Sequence, residues 1–326
     1  MYSGAPGRIV AVPGAPEVSV VIPTLNRWAL LRAALERVLT QEAVDLEVVV
    51  VDDGSTDETP RRLAEMAESR LVVHRHERPH GVAQARNAGM RLAGGEWLAF
   101  LDDDDLWSPR KLRLQLEAAE KAGATMAYGA SLVLDEHYRP MGIDPPPPAE
   151  GLLQDLLRHN SIPGGCSNVI AKRRLVQESG GFDESLRQVA DWDLWIRLAE
   201  GGPAAKVEEV VVAYLDHPSG MHVKEAHVAP AELAYLQNKH SDLIEAHDAQ
   251  MGGGAWFYCW VAAGQHRAGH RIAAARTYLR GARRYRSRGA LARAGIGLVS
   301  GRLVQRDTLD PLRPADGLPP WAQLPQ

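Results

Sequence analysis

Apolar residues first gather in the run Val18 to Ile22, short and unbroken, as expected for a strand buried on both faces of a parallel sheet. Between Asn26 and Gln41 the period changes: Leu30, Leu31, Ala34, Leu35, Val38 and Leu39 recur at helical spacing, with Asn26 as the expected N-cap. Leu46 to Val51 predicts a second strand. Ser55 with Glu58 fits a capping box and Pro60 falls in a first turn, so a second helix is predicted to about Ser69. Leu71 to His76, Gly81 to Ala93 and Trp97 to Leu101 continue the alternation as strand, helix and strand. This order predicts an α/β fold, an open and mostly parallel sheet covered on both faces, with ligands beyond the carboxyl ends of its strands.

Ser108-Pro109 opens a further helix that Gly123 stops, and beyond Leu134 the pattern becomes irregular, with Pro145 to Pro148 as a stiff loop. A short helix near Leu152 to Arg158, a strand near Ser167 to Ala171 and a strand near Val207 to Leu215 follow. From Pro230 onward Ala, Leu and Arg dominate, which reads as helix, and the Pro-rich end after Asp307 reads as an irregular tail. The expected organisation is a flexible leader over 1–17 and a main domain over 18–224, divided into halves over 18–107 and 108–224. A helical Arg-rich extension over 225–306 and a tail over 307–326 complete it.

Composition alters this picture little: 326 residues, 45% hydrophobic and 24% charged, are those of an ordinary soluble protein. No apolar run approaches the roughly 18 residues of a membrane span. The first residues carry no compact apolar segment behind a basic start, so a cytoplasmic location is expected. Cys166 and Cys259 are too few for a disulfide framework or a thiolate zinc site. Charge changes more. Gly264 to Arg306 holds eleven arginines and no Asp or Glu, against a net charge of −4 for the whole chain, so the rest is distinctly acidic.

The candidate chemistry lies at the strand ends. Asp102 and Asp104, two apart past the fourth strand, would face one side if extended geometry continued, and could share one divalent cation, Mg²⁺ or Mn²⁺. A solvated acidic loop is the plain alternative, but the position beyond a strand favours a site. Asp52-Asp53, ahead of Gly54-Ser55, could accept the imide N–H of uracil or thymine or bind ribose hydroxyls. No G-x-G-x-x-G follows the first strand and no phosphate-binding P-loop is present, which argues against a dinucleotide-dependent dehydrogenase or a P-loop enzyme.

Four segments together carry a resemblance: Val20-Val21-Ile22-Pro23-Thr24-Leu25-Asn26-Arg27, Val50-Val51-Asp52-Asp53-Gly54-Ser55-Thr56-Asp57, Gly81-Val82-Ala83-Gln84-Ala85-Arg86-Asn87-Ala88-Gly89, and Asp102-Asp103-Asp104-Asp105-Leu106-Trp107. In order and spacing they resemble the family 2 glycosyltransferases, from about Val18 to His222. The resemblance implies an A-type nucleotide-sugar-binding sheet with an acceptor half behind it. It assigns Pro23, Thr24 and Asn26 to the nucleoside loop, Asp52 and Asp53 to base and ribose, and Arg86 and Asn87 to the neighbouring wall. It also implies that Asp102 and Asp103 lie on the donor side, and that Asp102 and Asp104 match a DxD motif in which Asp104 is the more direct ligand of Mn²⁺ or Mg²⁺.

A second signature, Gly180-Gly181-Phe182-Asp183-Glu184 followed by Ala190-Asp191-Trp192, places the implied catalytic base at Asp191, with Ala190 where the family usually carries Glu. Tyr214-Leu215-Asp216-His217 resembles a Tyr-x-x-His segment, so His217, ahead of His222, is implied near the metal or diphosphate. The implied reaction is metal-dependent, inverting transfer from a UDP- or dTDP-sugar to a hydroxyl of a glycan, lipid-linked saccharide or small molecule. The alternative of another class is a catalytically silent nucleotide-sugar-binding protein, which Ala190 favours and the retained aspartates oppose. The arginine run reads as a solvated helical face or as an attraction for an anionic membrane surface at the inner face of the membrane, with Tyr278, Leu279, Leu291, Ile296, Leu298 and Val299 interleaved. No nucleic-acid motif accompanies it, so a nucleic-acid partner is not expected.

Overall fold

The structure is a computed structural model that describes residues 14–253, 255–299 and 318–323. Along the chain β1 (Val18–Thr24), α1 (Trp28–Leu39), β2 (Leu46–Asp52), α2 (Thr59–Glu65), β3 (Leu71–Arg75), α3 (Val82–Leu92) and β4 (Trp97–Phe100) form the expected alternation. After it come β5 (Leu106–Trp107), α4 (Lys111–Ala122), β6 (Met126–Asp135), β7 (Pro140–Asp144), α5 (Leu152–Leu156), β8 (Ile170–Lys172), α6 (Arg173–Glu178), α7 (Ala190–Gly201) and β9 (Ala204–Asp216). Helices α8 (Met221–Lys224), α9 (Ala229–Lys239), α10 (Ser241–Ala246), α11 (Trp256–Arg267), α12 (Arg271–Tyr285) and α13 (Arg288–Val299) make up the C-terminal part.

The strands form one sheet in the order β3-β2-β1-β4-β8-β6-β9-β5, with β7 paired to β6. Its first four strands are parallel, whereas β8 runs antiparallel to both β4 and β6. "Mostly parallel" therefore holds for the N-terminal half, and the sheet as a whole is mixed. Alternate residues explain the two-sided burial. Val20, Ile22, Val48 and Val50 meet Leu31, Leu35 and Val38 of α1 and Leu112 and Leu116 of α4 in one core. Val21, Val49 and Val51 join Ala85 and Ala88 of α3 and Trp192 and Trp195 of α7 in the other.

Three local readings of the sequence are corrected. Asn26 does not cap α1, which Arg27 precedes; Asn26 adopts a left-handed conformation with φ 56°. The Ser55/Glu58 capping box does not form, because α2 begins only at Thr59, and the Ser55 hydroxyl instead accepts the Asn26 N–H at 2.8 Å. Asp57 accepts the Thr59 N–H at 2.9 Å in its place. The tail is not wholly irregular: 318–323 includes a short helical turn whose Ala322 is buried in a cluster with Ala33 and Leu106. Most of the leader (1–13) and the stretch 300–317 lie outside the described residues. None of the described helices is long and apolar enough to cross a membrane.

Candidate active site

Beyond β4 the chain turns, with the Asp105 N–H returning to the Asp102 carbonyl at 3.2 Å. The extended geometry expected from Asp102 to Asp104 is thus replaced by a turn that sends each acid to a different partner. Asp102 pairs with Arg86 of α3. Asp103 accepts the Thr24 hydroxyl at 2.6 Å and the Arg27 guanidinium at 3.1 Å. Asp104 accepts Arg27 at 2.7 Å and lies 3.0 Å from Nε2 of His217. Asp105, buried, accepts the Ser167 hydroxyl at 2.5 Å and the Leu215 N–H at 3.0 Å, while Ser167 Oγ also accepts the Asp102 N–H at 3.0 Å. One buried carboxyl thus fastens the turn to the end of β9.

Crowding of like charges separates these acids electrostatically. Burial, reinforced by the neighbouring Asp104, pushes the Asp103 carboxyl up from its ordinary range. Burial acts on Asp104 in the same sense, but the His217 hydrogen bond and the Arg27 charge outweigh it and hold Asp104 down. Of this adjacent pair, Asp104 is the one biased toward the carboxylate form.

Pro23 and Thr24 end β1 in buried positions. Asn26 ties the first loop to the second: its Oδ1 accepts the Thr56 N–H at 2.7 Å and the Asp57 N–H at 3.2 Å. Asp52 accepts the Ser55 N–H at 2.8 Å and faces Arg75 at 3.4 Å. Asp53 lies 2.7 Å from His76 Nδ1 and accepts the backbone N–H groups of His80 at 3.0 Å and Gly81 at 2.8 Å. These residues share the rim formed by the ends of β1 and β2. Arg86 lies over the Phe182 ring at 5.3 Å while it holds Asp102. Asn87 is set apart: its amide clamps the 180–184 turn, donating to the Phe182 carbonyl at 2.9 Å and accepting the Phe182 N–H at 2.8 Å.

Asp191 is the second residue of α7. It is not the N-cap, which falls to Val189. Its carboxylate accepts the Trp192 N–H at 2.7 Å and the Asn160 amide at 3.3 Å. Burial raises its pKa, and the Arg86 charge works against that rise while Asp102 adds to it. The same two charges that meet at the acidic turn act on Asp191, and the 165–167 turn touches both groups: a side chain at Gly165 would meet the Asp191 carboxylate at 3.6 Å, and Ser167 accepts the Asp102 N–H at 3.0 Å.

Some residues that hold the candidate site were not legible in the sequence. Arg27, within the first motif, bridges Asp103 and Asp104. Glu232 of α9 lies outside every motif, yet its buried carboxylate accepts the N–H groups of Arg187 at 2.9 Å, Gln188 at 2.8 Å and Val189 at 3.2 Å, just ahead of Asp191. It satisfies the backbone donors of the segment that leads into α7, ahead of the helix's own first turn. Near His217, Asp216 is buried and paired with His222 at 3.0 Å and with Arg267 of α11.

Among the described residues no three His, Cys, Asp or Glu side chains converge on one ion position. Asp104 and His217 face each other at 3.0 Å and could supply two ligands, with the Ser219 hydroxyl at 2.7 Å from His217 Nδ1 leaving Nε2 toward Asp104. That pattern fits a metal completed by phosphate oxygens and water. One carboxylate and one imidazole suit Mn²⁺ better than Mg²⁺. Asp102 is held by Arg86 and does not join the Asp104–His217 pair.

A mixed α/β sheet whose strand ends gather this acidic turn, with a helical part behind it, defines an A-type glycosyltransferase fold. Residues 19–179 match the family model described as Glycosyl transferase family 2. The chain is 32% identical over 251 residues to the succinoglycan biosynthesis protein ExoO of Rhizobium meliloti, covering 73% of this chain and 68% of that protein. It is 34% identical over 214 residues to a PGL/p-HBAD biosynthesis glycosyltransferase of Mycobacterium bovis, covering 64% of this chain and 79% of the relative. Among solved structures, S. aureus TarS 1-349 in complex with UDP-GlcNAc superposes with a TM-score of 0.55 at 18% identity, over 87% of this chain and 79% of that one. The chain belongs to glycosyltransferase family 2.

Proposed function

We propose that this glycosyltransferase moves a sugar, with inversion, from a UDP- or dTDP-sugar to an acceptor hydroxyl, aided by Mn²⁺ or Mg²⁺ held at Asp104 and His217. The observation that carries the reading is that the 165–167 turn touches both Asp191 and Asp102, a side chain at Gly165 meeting the Asp191 carboxylate at 3.6 Å and Ser167 accepting the Asp102 N–H at 3.0 Å, while Arg86 holds Asp102 and Asp104, two residues on, pairs with His217 at 3.0 Å. Asp52, Asp53 and Asn26 shape the rim for the nucleoside, and Arg86 keeps Asp102 oriented toward the donor. Asp191 takes the proton from the acceptor oxygen as that oxygen attacks the anomeric carbon from the face opposite the diphosphate. Its raised pKa makes it a stronger base than an exposed aspartate. A bound divalent ion supplies charge neutralisation at the departing diphosphate.

The UDP-GlcNAc complex of TarS supports a uridine donor. The names of the relatives, succinoglycan biosynthesis and PGL/p-HBAD biosynthesis, support an acceptor in cell-envelope saccharide assembly. A thermal-shift screen of UDP- and dTDP-sugars with Mn²⁺, followed by donor hydrolysis of each hit, tests the reading, since a ligand selective for the folded state raises the unfolding temperature. A Mn²⁺-dependent shift with turnover is expected. No shift with any of them, with or without metal, would overturn the donor assignment; a shift without hydrolysis or transfer would favour the silent binding protein.

A further inference from the structure

The arginine run lies outside the span matched by the family model, and the structure sorts its residues. On α12 the apolar members turn inward: Tyr278 is buried with Ala274 against Ala262 and Ala294, and Leu279 packs on the same cluster. Two of the interleaved apolar residues therefore belong to a core and do not reach outward. The side chains of Ile296, Leu298 and Val299 lie outside the described residues.

What α12 turns outward is almost purely cationic. Arg276, Arg280 and Arg283, spaced four and three apart, form one exposed stripe, with Arg284 at its edge. Ile272 continues the stripe toward the helix start and is 65% exposed; Leu291 of α13 is 57% exposed. These are the two most exposed large hydrophobic side chains among the described residues. Arg276, Arg280 and Arg283 form no ion pair among the described residues, whereas Arg267 is drawn in to Asp216.

We propose that this face docks the protein on an anionic phospholipid bilayer. Charge complementarity is the first argument: a cationic stripe without acids, on an otherwise acidic chain, leaves one side that a negative surface attracts. Shape is the second. From Ile272 to Arg283 the stripe runs about 16 Å along α12, too long for one phosphate and matched to a plane of headgroups. The third is the pair of exposed aliphatic side chains, which can enter the headgroup region as interfacial helices do. A single-stranded nucleic acid would instead favour aromatic rings for stacking. Of the two tyrosines on α12, Tyr278 is buried and Tyr285 is half-buried with its hydroxyl bonded to the Gly252 carbonyl at 2.8 Å.

The test is co-sedimentation of the full chain with phosphatidylcholine vesicles, with and without phosphatidylglycerol, at low and raised salt. Binding is expected only to the anionic vesicles and should fall steeply with salt. The triple variant R276E/R280E/R283E should lower partitioning by at least about a hundredfold. The milder R276Q/R280Q/R283Q should lower it less, and Ile272→Asp should weaken what persists at raised salt. Unchanged unfolding temperatures and nucleotide-sugar thermal shifts in these variants would show that fold and donor site are intact, so a failure here is separable from a failure of the proposed function. Equal binding to neutral vesicles, no binding to anionic ones, or full binding by the triple variant would overturn the proposal. So would retention of a single-stranded RNA probe by a protein that ignores the vesicles.

Discussion

Two runs of like charge dominate this chain, and the fold treats them oppositely. The four aspartates at 102–105 turn inward and are held from several elements: Asp102 by Arg86, Asp103 by Thr24 and Arg27, Asp104 by Arg27 and His217, and Asp105 by Ser167 and the Leu215 N–H. The arginines of α12 turn outward, and those of the central stripe have no carboxylate partner among the described residues. Position explains the difference. A run at the carboxyl end of a central strand enters a crevice where several elements supply counter-charges, whereas a run on a peripheral helix keeps its small residues for packing and gives its long ones to solvent. A charge run becomes a site when the topology surrounds it and a surface when it does not.

Substitutions can break or sharpen that contrast. The largest effect is expected at the acidic turn: Asp104→Ala should abolish Mn²⁺-dependent donor binding, read as loss of the thermal shift, and His217→Ala should weaken it strongly. Asp191→Asn should leave that shift in place and lower turnover by about 10²- to 10⁴-fold. If Asp191→Asn turns over at the native rate, the base lies elsewhere. The pH profile adds a sign. The base works deprotonated, and burial has raised its pKa, so the acidic limb of kcat/KM should sit above the value near 4 of an ordinary aspartate; a limb at or below 4 would contradict the burial argument.

A smaller effect is expected at Glu232, whose removal leaves three backbone donors without their acceptor. Glu232→Ala should cost about 2 kcal/mol in a denaturant titration, the scale of a lost charged hydrogen bond. It should also lower turnover while leaving the donor shift unchanged. The smallest effect belongs to the arginines: Arg280→Gln should change stability by less than about 0.5 kcal/mol, because an exposed charge without a partner contributes little to folding. A large loss there would show that the run is structural after all.

The alternation of the first half and the family were legible because Val18 to Leu101 carries strong local periodicity and four ordered motifs. Asp53, Arg86, Asp104 and His217 stand at the strand ends or face them, where the motifs pointed. Less legible was anything set by partners distant in sequence. Asn26 and Ser55 each look like a helix cap, but they bond to each other's loops, and no local rule distinguishes the two uses. Arg27, Asp105 and Ser167 acquire their roles from contacts across the sheet. Glu232 had no signal beyond one acid on an alanine-rich helix. The antiparallel insertion of β8 between β4 and β6 was hidden because a short apolar strand carries no mark of its direction.

The two tethers from the C-terminal helices, Glu232 to the backbone at 187–189 and Arg267 to Asp216, attach one to the segment before α7 and the other to the end of β9. A gene shortened to the stretch that resembles other members would lose both fastenings at once. Its product would keep every motif residue, yet the segment leading into Asp191 and the end of β9 beside His217 would each lose an anchor. Chimeras between relatives should therefore be joined downstream of Arg267, so that the rear helices travel with the catalytic half they brace.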